Sequence, residues 1–244
     1  MADLDIIIPV YNEDREIVGT LETLAQHVKV PFRVLLCYDD DDDRTLPVAA
    51  AYARASGLAI DFVKNTGAGV HAAIMAGFRA SDAPAAMLMP ADDRYNAASI
   101  DRMFELFRGG CDVVCASRFI PGGCMKRCRL LKATLVRATA FTLYHFARLP
   151  ARDPTNGLRL YSRRVLQSVP IESTMGFTHS IELLVKCHRL AWKIGEVPSV
   201  WIERQRGGSR FRIFRWAPAY LRWYWYAFQT TYFRKGPESV YVLD

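Results

Sequence analysis

An α/β chain with a mostly parallel, doubly wound sheet is what this sequence predicts, on three observations. Compact apolar runs alternate with helical patterns through the first hundred residues. Each run stops at a polar or glycine-containing loop. The 244 residues, 51% hydrophobic and 23% charged, suffice for one large domain with a buried core.

The elements follow in order. Leu4–Val10 is an apolar, β-branched run of the kind found in buried parallel strands, ended by Tyr11-Asn12-Glu13. Glu16 to Val28 reads as a helix with Ile17, Leu21 and Leu24 on one face. Phe32–Cys37 is a second strand running into Tyr38 and the aspartates 39–43, and a helix containing Val48–Ala55 follows. Ile60–Val63 is a third strand, ending at Lys64-Asn65-Thr66-Gly67-Ala68-Gly69, and His71 to Ala80 is helical. Ala85–Met89 is a fourth strand, ending at Pro90-Ala91-Asp92-Asp93. Strands alternating with helices predict parallel pairing, and such sheets collect functional groups at the carboxyl ends of their strands. The second half is less regular: strands at Val113–Ala116, Gly157–Tyr161 and Lys193–Ile202, helices at Leu130–Phe146 (with Lys132 and Arg137) and Ser180–His188.

The formal charge of +7 suggests anionic partners: nucleotide or lipid phosphates, an acidic membrane face, or nucleic acid. The opening apolar run is too short for a secretory signal, and no stretch approaches the ~20 apolar residues of a membrane span. The six scattered cysteines lack a zinc spacing and read as reduced thiols. Together these point to the cytoplasm.

The run of five aspartates cannot converge on one ion, because like charges repel. Asp39, at the strand end, is the functional candidate, and an EF-hand is excluded by the missing glycine and closing glutamate. Gly67 and Gly69 lack the Rossmann fingerprint spacing and follow the third strand, so they suit close backbone approach to a ligand or a plain turn.

In order along residues 4–211, the motifs resemble those of family 2 glycosyltransferases of the GT-A fold, closest to the dolichol- or polyprenyl-phosphate sugar synthases. Pro9-Val10-Tyr11-Asn12-Glu13 is similar to P-x-Y-N-E, Asp39–Thr45 to an altered D-D-G-S-x-D-G-T loop, and Met89–Asp93 falls where the family places D-x-D. Ser117-Arg118-Phe119 with Gly122-Gly123 resembles S-R-Y-x-x-G-G, and Asp153 to Tyr161 resembles D-x-T-x-x-F-R-L-Y. Gly176-Phe177 with Glu182 resembles the helix that follows, and Glu196-Val197-Pro198 to Arg204, Gly207, Ser209-Arg210-Phe211 the E-V-P stretch. The resemblance implies a single Rossmann-like sheet with flanking helices over residues 1–211; the aromatic and basic composition of 212–244 marks that stretch as a separate C-terminal segment. The resemblance further implies that Pro9, Tyr11, Glu13, Asp39, Lys64, Gly67 and Ala91 hold the donor nucleotide and that Asp92, with Asp93, binds Mg²⁺ or Mn²⁺. Arg118, Arg137, Arg204 and Arg210 would receive the acceptor's phosphate, and Asp92, Arg118 and Asp153 are the catalytic candidates.

The chemistry suits those residue types. A departing nucleoside diphosphate gathers negative charge, which cations stabilise by ~3–4 kcal/mol per group. A phosphate acceptor is already anionic and needs a basic clamp more than a general base, and arginine offers a planar fork. The family's first D-x-D aspartate, however, aligns with Pro90, which has no ligand atom, and Arg94 stands two residues after Asp92. Asp92 binding a cation with the diphosphate, Arg94 supplying charge instead, and a protein that only binds all remain open. His71, His145, His179 and His188 form no evident triad and read as structural, as does Glu182.

From Arg212 to Phe233 the chain is dense in aromatics interleaved with arginines, with Pro218 expected in a first helical turn. That composition fits a peripheral helix at a membrane interface, or one packed on the domain or on a second copy in a homo-oligomer; no nucleic-acid motif accompanies it. The expected activity is inverting transfer of a sugar from a UDP- or GDP-type nucleotide-sugar to a polyprenyl phosphate at the inner, cytoplasmic membrane face. Transfer to a glycan hydroxyl, with Asp153 as base, and a non-catalytic nucleotide-sugar-binding scaffold are the alternatives.

Overall fold

The computed structural model describes residues 2–203 and 213–243, the latter with side chains from 218 onward. The chain runs β1 (Leu4–Pro9), α1 (Ile17–His27), β2 (Phe32–Tyr38), α2 (Thr45–Ser56), β3 (Ile60–Lys64), α3 (Val70–Ala80), β4 (Ala85–Leu88), α4 (Ile100–Arg108) and β5 (Val113–Ser117). It continues through β6 (Cys124–Lys126), α5 (Leu130–His145), β7 (Arg159–Ser162), α6 (Arg163–Ser168), α7 (His179–Arg189), β8 (Ile194–Pro198), β9 (Val200–Ile202) and α8 (Ile213–Tyr232).

The apolar run of β1 is buried on both faces, as an inner parallel strand must be. Ile7 packs with Ile74 and Phe78 of α3 and Leu183 of α7, whereas Ile6 and Ile8 pack with Leu21 of α1 and Met103 of α4. Period-two alternation therefore divides one continuous hydrophobic run between two cores, one on each side of the sheet.

The seven strands lie in the order β3-β2-β1-β4-β7-β5-β8. The pairs β1–β2, β2–β3, β1–β4 and β5–β8 are parallel, and β7 is antiparallel to both its neighbours, β4 and β5. Two reversals cancel, so β5 and β8 point the same way as β1 to β4. The carboxyl ends of all six parallel strands, together with the loop entering β7, thus share one edge. β6 and β9 form a small parallel ribbon beyond it.

The expected first four strands and their helices are all present. The single strand expected over Lys193–Ile202 is instead two. The β5–β8 pairing runs to Pro198 and closes with the Ser199 N–H donating to the Ser117 carbonyl (2.9 Å), after which β9 pairs with β6 in the other sheet. Pro218 lies inside α8, beyond the first turn expected for it. α8 is not set apart in packing: Trp223 and Ala227 belong to the same core as Ile7 and Leu183. Among the described residues no helix is long and apolar enough to cross a membrane.

Candidate active site

The loops after β1, β2 and β3 are bound to one another through the aspartate run. Asp43, its last member, is buried and accepts the N–H groups of Asn12 (3.0 Å) and Thr45 (2.8 Å). Thr45 Oγ1 in turn accepts the Glu13 N–H at 2.8 Å. Asn12 takes a left-handed backbone (φ 53°) in this turn, a conformation asparagine tolerates better than most residues. Tyr11 is left 54% exposed beside it, directly beyond Pro9. Asp39 accepts the N–H of Gly69 (2.7 Å) and the amide of Asn65, whose carbonyl oxygen receives the Gly67 N–H at 2.8 Å. Gly69 precedes α3 with φ 87°, a position where a side chain would strain the backbone. Lys64 pairs with Asp41. All the residues expected at the nucleotide therefore gather on the carboxyl edge, with Asp39 tying the β2 loop to the β3 loop.

At the end of β4, Ala91 is buried and its carbonyl accepts from Thr20 Oγ1 (2.8 Å). Asp92 faces a cavity of ≈ 820 Å³. Asp93 lines the same cavity, but its carboxylate is engaged by Asn96 Nδ2 (2.7 Å) and by the N–H groups of Tyr95 (3.0 Å) and Asn96 (3.1 Å). Burial raises the Asp93 pKa and these hydrogen bonds oppose the rise. Asn96 carries the link onward, exchanging hydrogen bonds with the Val200 carbonyl (2.9 Å) and N–H (2.8 Å). Arg94 turns toward α1 to meet Glu16 (2.9 Å), where any side chain at position 19 would collide with it. Its charge is committed to α1.

Arg118 follows β5 and is 8% exposed. Its Nε and one terminal nitrogen grip the two oxygens of Asp153 at 2.6 and 2.7 Å, the latter nitrogen also reaches Thr155 Oγ1 (2.7 Å), and its N–H donates to Asp153 as well (2.9 Å). Burial alone would raise the Asp153 carboxyl, but the Arg118 charge and hydrogen bonds prevail and its pKa lies below the ordinary value. Asp153 is fully buried and does not line the cavity, whereas Arg118 and Thr155 do. Such a carboxylate orients an arginine; it is badly placed to take a proton from an acceptor hydroxyl. The loop carrying Asp153 is fixed by Arg159, fully buried, which donates to the carbonyls of Pro154 and Asn156 at 3.2 Å each and to that of Ser180.

Lys132 of α5 faces the same cavity, paired with Glu203 at 2.7 Å. The Trp201 ring lies between the two cations, 4.5 Å from Lys132 Nζ and 5.3 Å from the Arg118 guanidinium carbon. Away from this charged end the cavity is walled by Val136 of α5, Ile181 of α7, and Tyr220 and Leu221 of α8. Arg137, expected beside Arg118, instead lines a second cavity with Phe141 and Tyr144, on another side of α5. Arg204 and Arg210 lie outside the described residues. Sequence reasoning passed over Asp43, Asn96, Lys132 and Trp201 as site residues. Only Asn96 left a local signal, being a turn residue three positions after an aspartate.

Among the described residues, no group of three or more His, Cys, Asp or Glu side chains could hold a metal ion. Asp92 and Asp93 are the carboxylates that line the cavity at this position. That donor set fits only a cation brought in with a diphosphate that supplies most of its six or so oxygens.

The mostly parallel sheet with its flanking helices is the fold of GT-A glycosyltransferases. Among solved structures the chain superposes on glucosyl-3-phosphoglycerate synthase from Mycobacterium tuberculosis, solved with Mn²⁺, uridine diphosphate and phosphoglyceric acid. The TM-score is 0.66 at 16% identity, covering 94% of this chain and 78% of that one, a likeness of fold. The family is defined by sequence: the profile of glycosyl transferase family 2 matches residues 5–169, and the chain belongs to that family. It is 27% identical over 212 residues to the polyprenol monophosphomannose synthase of Mycolicibacterium smegmatis, spanning 84% of this chain and 79% of that protein. It is 25% identical over 217 residues to the dolichol-phosphate mannosyltransferase of Pyrococcus furiosus, spanning 86% of this chain and 59% of the relative.

Proposed function

We propose that this glycosyltransferase moves a sugar from a UDP- or GDP-type donor to the phosphate of a polyprenyl phosphate, with inversion, at the cytoplasmic face of a membrane. One observation carries the reading: a single cavity joins a charged end at Asp92, Arg118 and Lys132 to a long apolar wall made by α5, α7 and α8. That is the shape of a phosphate on a hydrocarbon chain. The two curated relatives bear names of enzymes acting on polyprenol and dolichol phosphates.

In this reading Pro9, Tyr11, Glu13, Asp39, Lys64, Gly67 and Ala91 hold the donor nucleotide across the carboxyl edge. Mg²⁺ or Mn²⁺, held by Asp92 and the diphosphate, would neutralise charge on the leaving group. Arg118 and Lys132, with Arg204 and Arg210, hold the acceptor phosphate. A phosphate oxygen attacks the anomeric carbon, and the bond from that carbon to the donor diphosphate breaks, its electron pair leaving with the diphosphate. No proton needs to be removed, so Asp153 serves by fixing Arg118. Contact with the bilayer through the exposed side of α8 brings the acceptor within reach.

Incubation with labelled nucleotide-sugars and a short-chain polyprenyl phosphate tests this. Labelled lipid is the expected product; label transferred only to a glycan overturns the reading. Asp92→Asn is expected to lower kcat by about 10²–10³-fold, the usual cost of losing one group that stabilises charge in the transition state.

A further inference from the structure

The second cavity, ≈ 310 Å³, has no part in the reading above. Its lining holds three basic side chains, Arg137, His145 and Arg152, set among Phe119, Phe141 and Tyr144, and no acidic residue. Two of them lie against rings: Arg152 is 5.2 Å from the Tyr144 ring centre, and His145 is 4.4 Å from Phe141 and 4.9 Å from Tyr144. Glu196 accepts the backbone N–H groups of Arg152 (2.8 Å) and Asp153 (3.2 Å). Arg33, Arg94 and Arg118, by contrast, are paired with Asp5, Glu16 and Asp153. Two guanidinium groups in one groove without a carboxylate favour an anion with several oxygens, which their planar forks match.

The surroundings decide what carries that anion. Phe141 and Phe146 are 56% and 50% exposed beside the groove, and Leu130 and Leu131 at the start of the same helix are 86% and 71% exposed. Exposed apolar side chains beside unneutralised arginines form the surface that settles into the headgroup layer of an acidic bilayer. α5 also walls the large cavity, so one helix would be shared by both. We propose that the groove formed by Arg137, His145 and Arg152 binds the headgroup phosphate of an acidic membrane lipid, seating the α5 side of the protein on the bilayer from which the acceptor enters. This rests on the acceptor being membrane-borne.

The test is co-sedimentation of the full chain with phosphatidylcholine vesicles with and without phosphatidylglycerol. The wild type is expected to prefer the acidic vesicles. Arg137→Gln/Arg152→Gln is expected to bind them about thirtyfold more weakly, from ~1 kcal/mol for each arginine near an acidic surface. Arg54→Gln/Arg108→Gln removes the same charge from exposed positions on α2 and α4 and is expected to lose less than about twofold. Arg152→Lys, which keeps the charge, is expected to retain most of the binding and excludes misfolding as the cause. Equal losses in the two double variants, or no preference for acidic vesicles in the wild type, each overturn the proposal. Turnover of the wild type on short-chain polyprenyl phosphate without vesicles is measured separately, so failure of the proposed activity is told apart from failure of this site.

Discussion

Asp153 and Arg118 are nearly inaccessible to water, so neither charge is tolerable without the other. Removing one partner of such a buried pair costs about 3–5 kcal/mol, far more than losing an exposed pair. Asp153→Asn is therefore expected to lower the unfolding free energy by about that amount in urea titrations, and to reduce turnover by freeing Arg118. The folded Asp153 pKa lies below its unfolded value, so the pair contributes fully above pH ~4 and is lost as pH falls through the folded value. His179 behaves differently. Burial first, then the charges of His71 and Arg159, push its pKa down to about 3, and neither ring nitrogen has a hydrogen-bond partner. Between that value and the unfolded ~6.5 only the unfolded chain takes up the proton, so stability is lost as pH falls through this window. From pH 7 to 5 the loss from this residue is about 2 kcal/mol, and His179→Leu is expected to remove that part of the slope in denaturation measured at both pH values. The sequence disclosed the types of residue at these points but not their pairing. Asp153 and Arg118 are thirty-five positions apart, and only the antiparallel insertion of β7 beside β5 makes them neighbours.

At the scale of elements, α8 matters most. Its composition left open whether it lies on a membrane or on the domain, and its two sides differ. Trp223 is buried over Lys186, with 5.3 Å between the ammonium and the ring centre, while Trp225, Tyr232 and Phe233 are exposed. Lys186 is itself buried and paired with Glu182 (2.7 Å) and Glu172 (2.8 Å), and Glu172 also pairs with Arg222 of α8. Trp223→Ala is expected to cost about 3–5 kcal/mol in thermal or chemical unfolding, the range for losing a large core aromatic. An exposed aromatic such as Trp225 changed to alanine should cost only a small fraction of that. Strands β1 to β4 were legible because each carries a short, mostly apolar stretch that ends at a polar or glycine-containing loop. The periodic Ile100, Met103, Phe104 and Phe107 of α4 would also have served, though they went unread. The break between β8 and β9 turns on which sheet each half joins, and pairing partners are not a local property of sequence.

On the proposed function, the molecule as a whole separates two binding tasks. The loops after β1 to β4, tied together by Asp39 and Asp43, would hold the donor, while the apolar wall that would hold the acceptor comes from helices of the second half. Asp92 and Arg118 line the cavity at its charged end. Damage to the wall should therefore leave the donor side intact. Val136→Asp places a carboxylate on the apolar stretch, where it must be desolvated beside a hydrocarbon chain and repels an incoming phosphate. The KM for a polyprenyl phosphate is expected to rise roughly tenfold or more, while the Kd for nucleoside diphosphate in calorimetry stays within about twofold, the pattern of an interaction made with one substrate alone. Equal losses in both measurements would mean that donor and acceptor share that stretch of cavity, and the division of labour drawn from the sheet and its helices would fall with it.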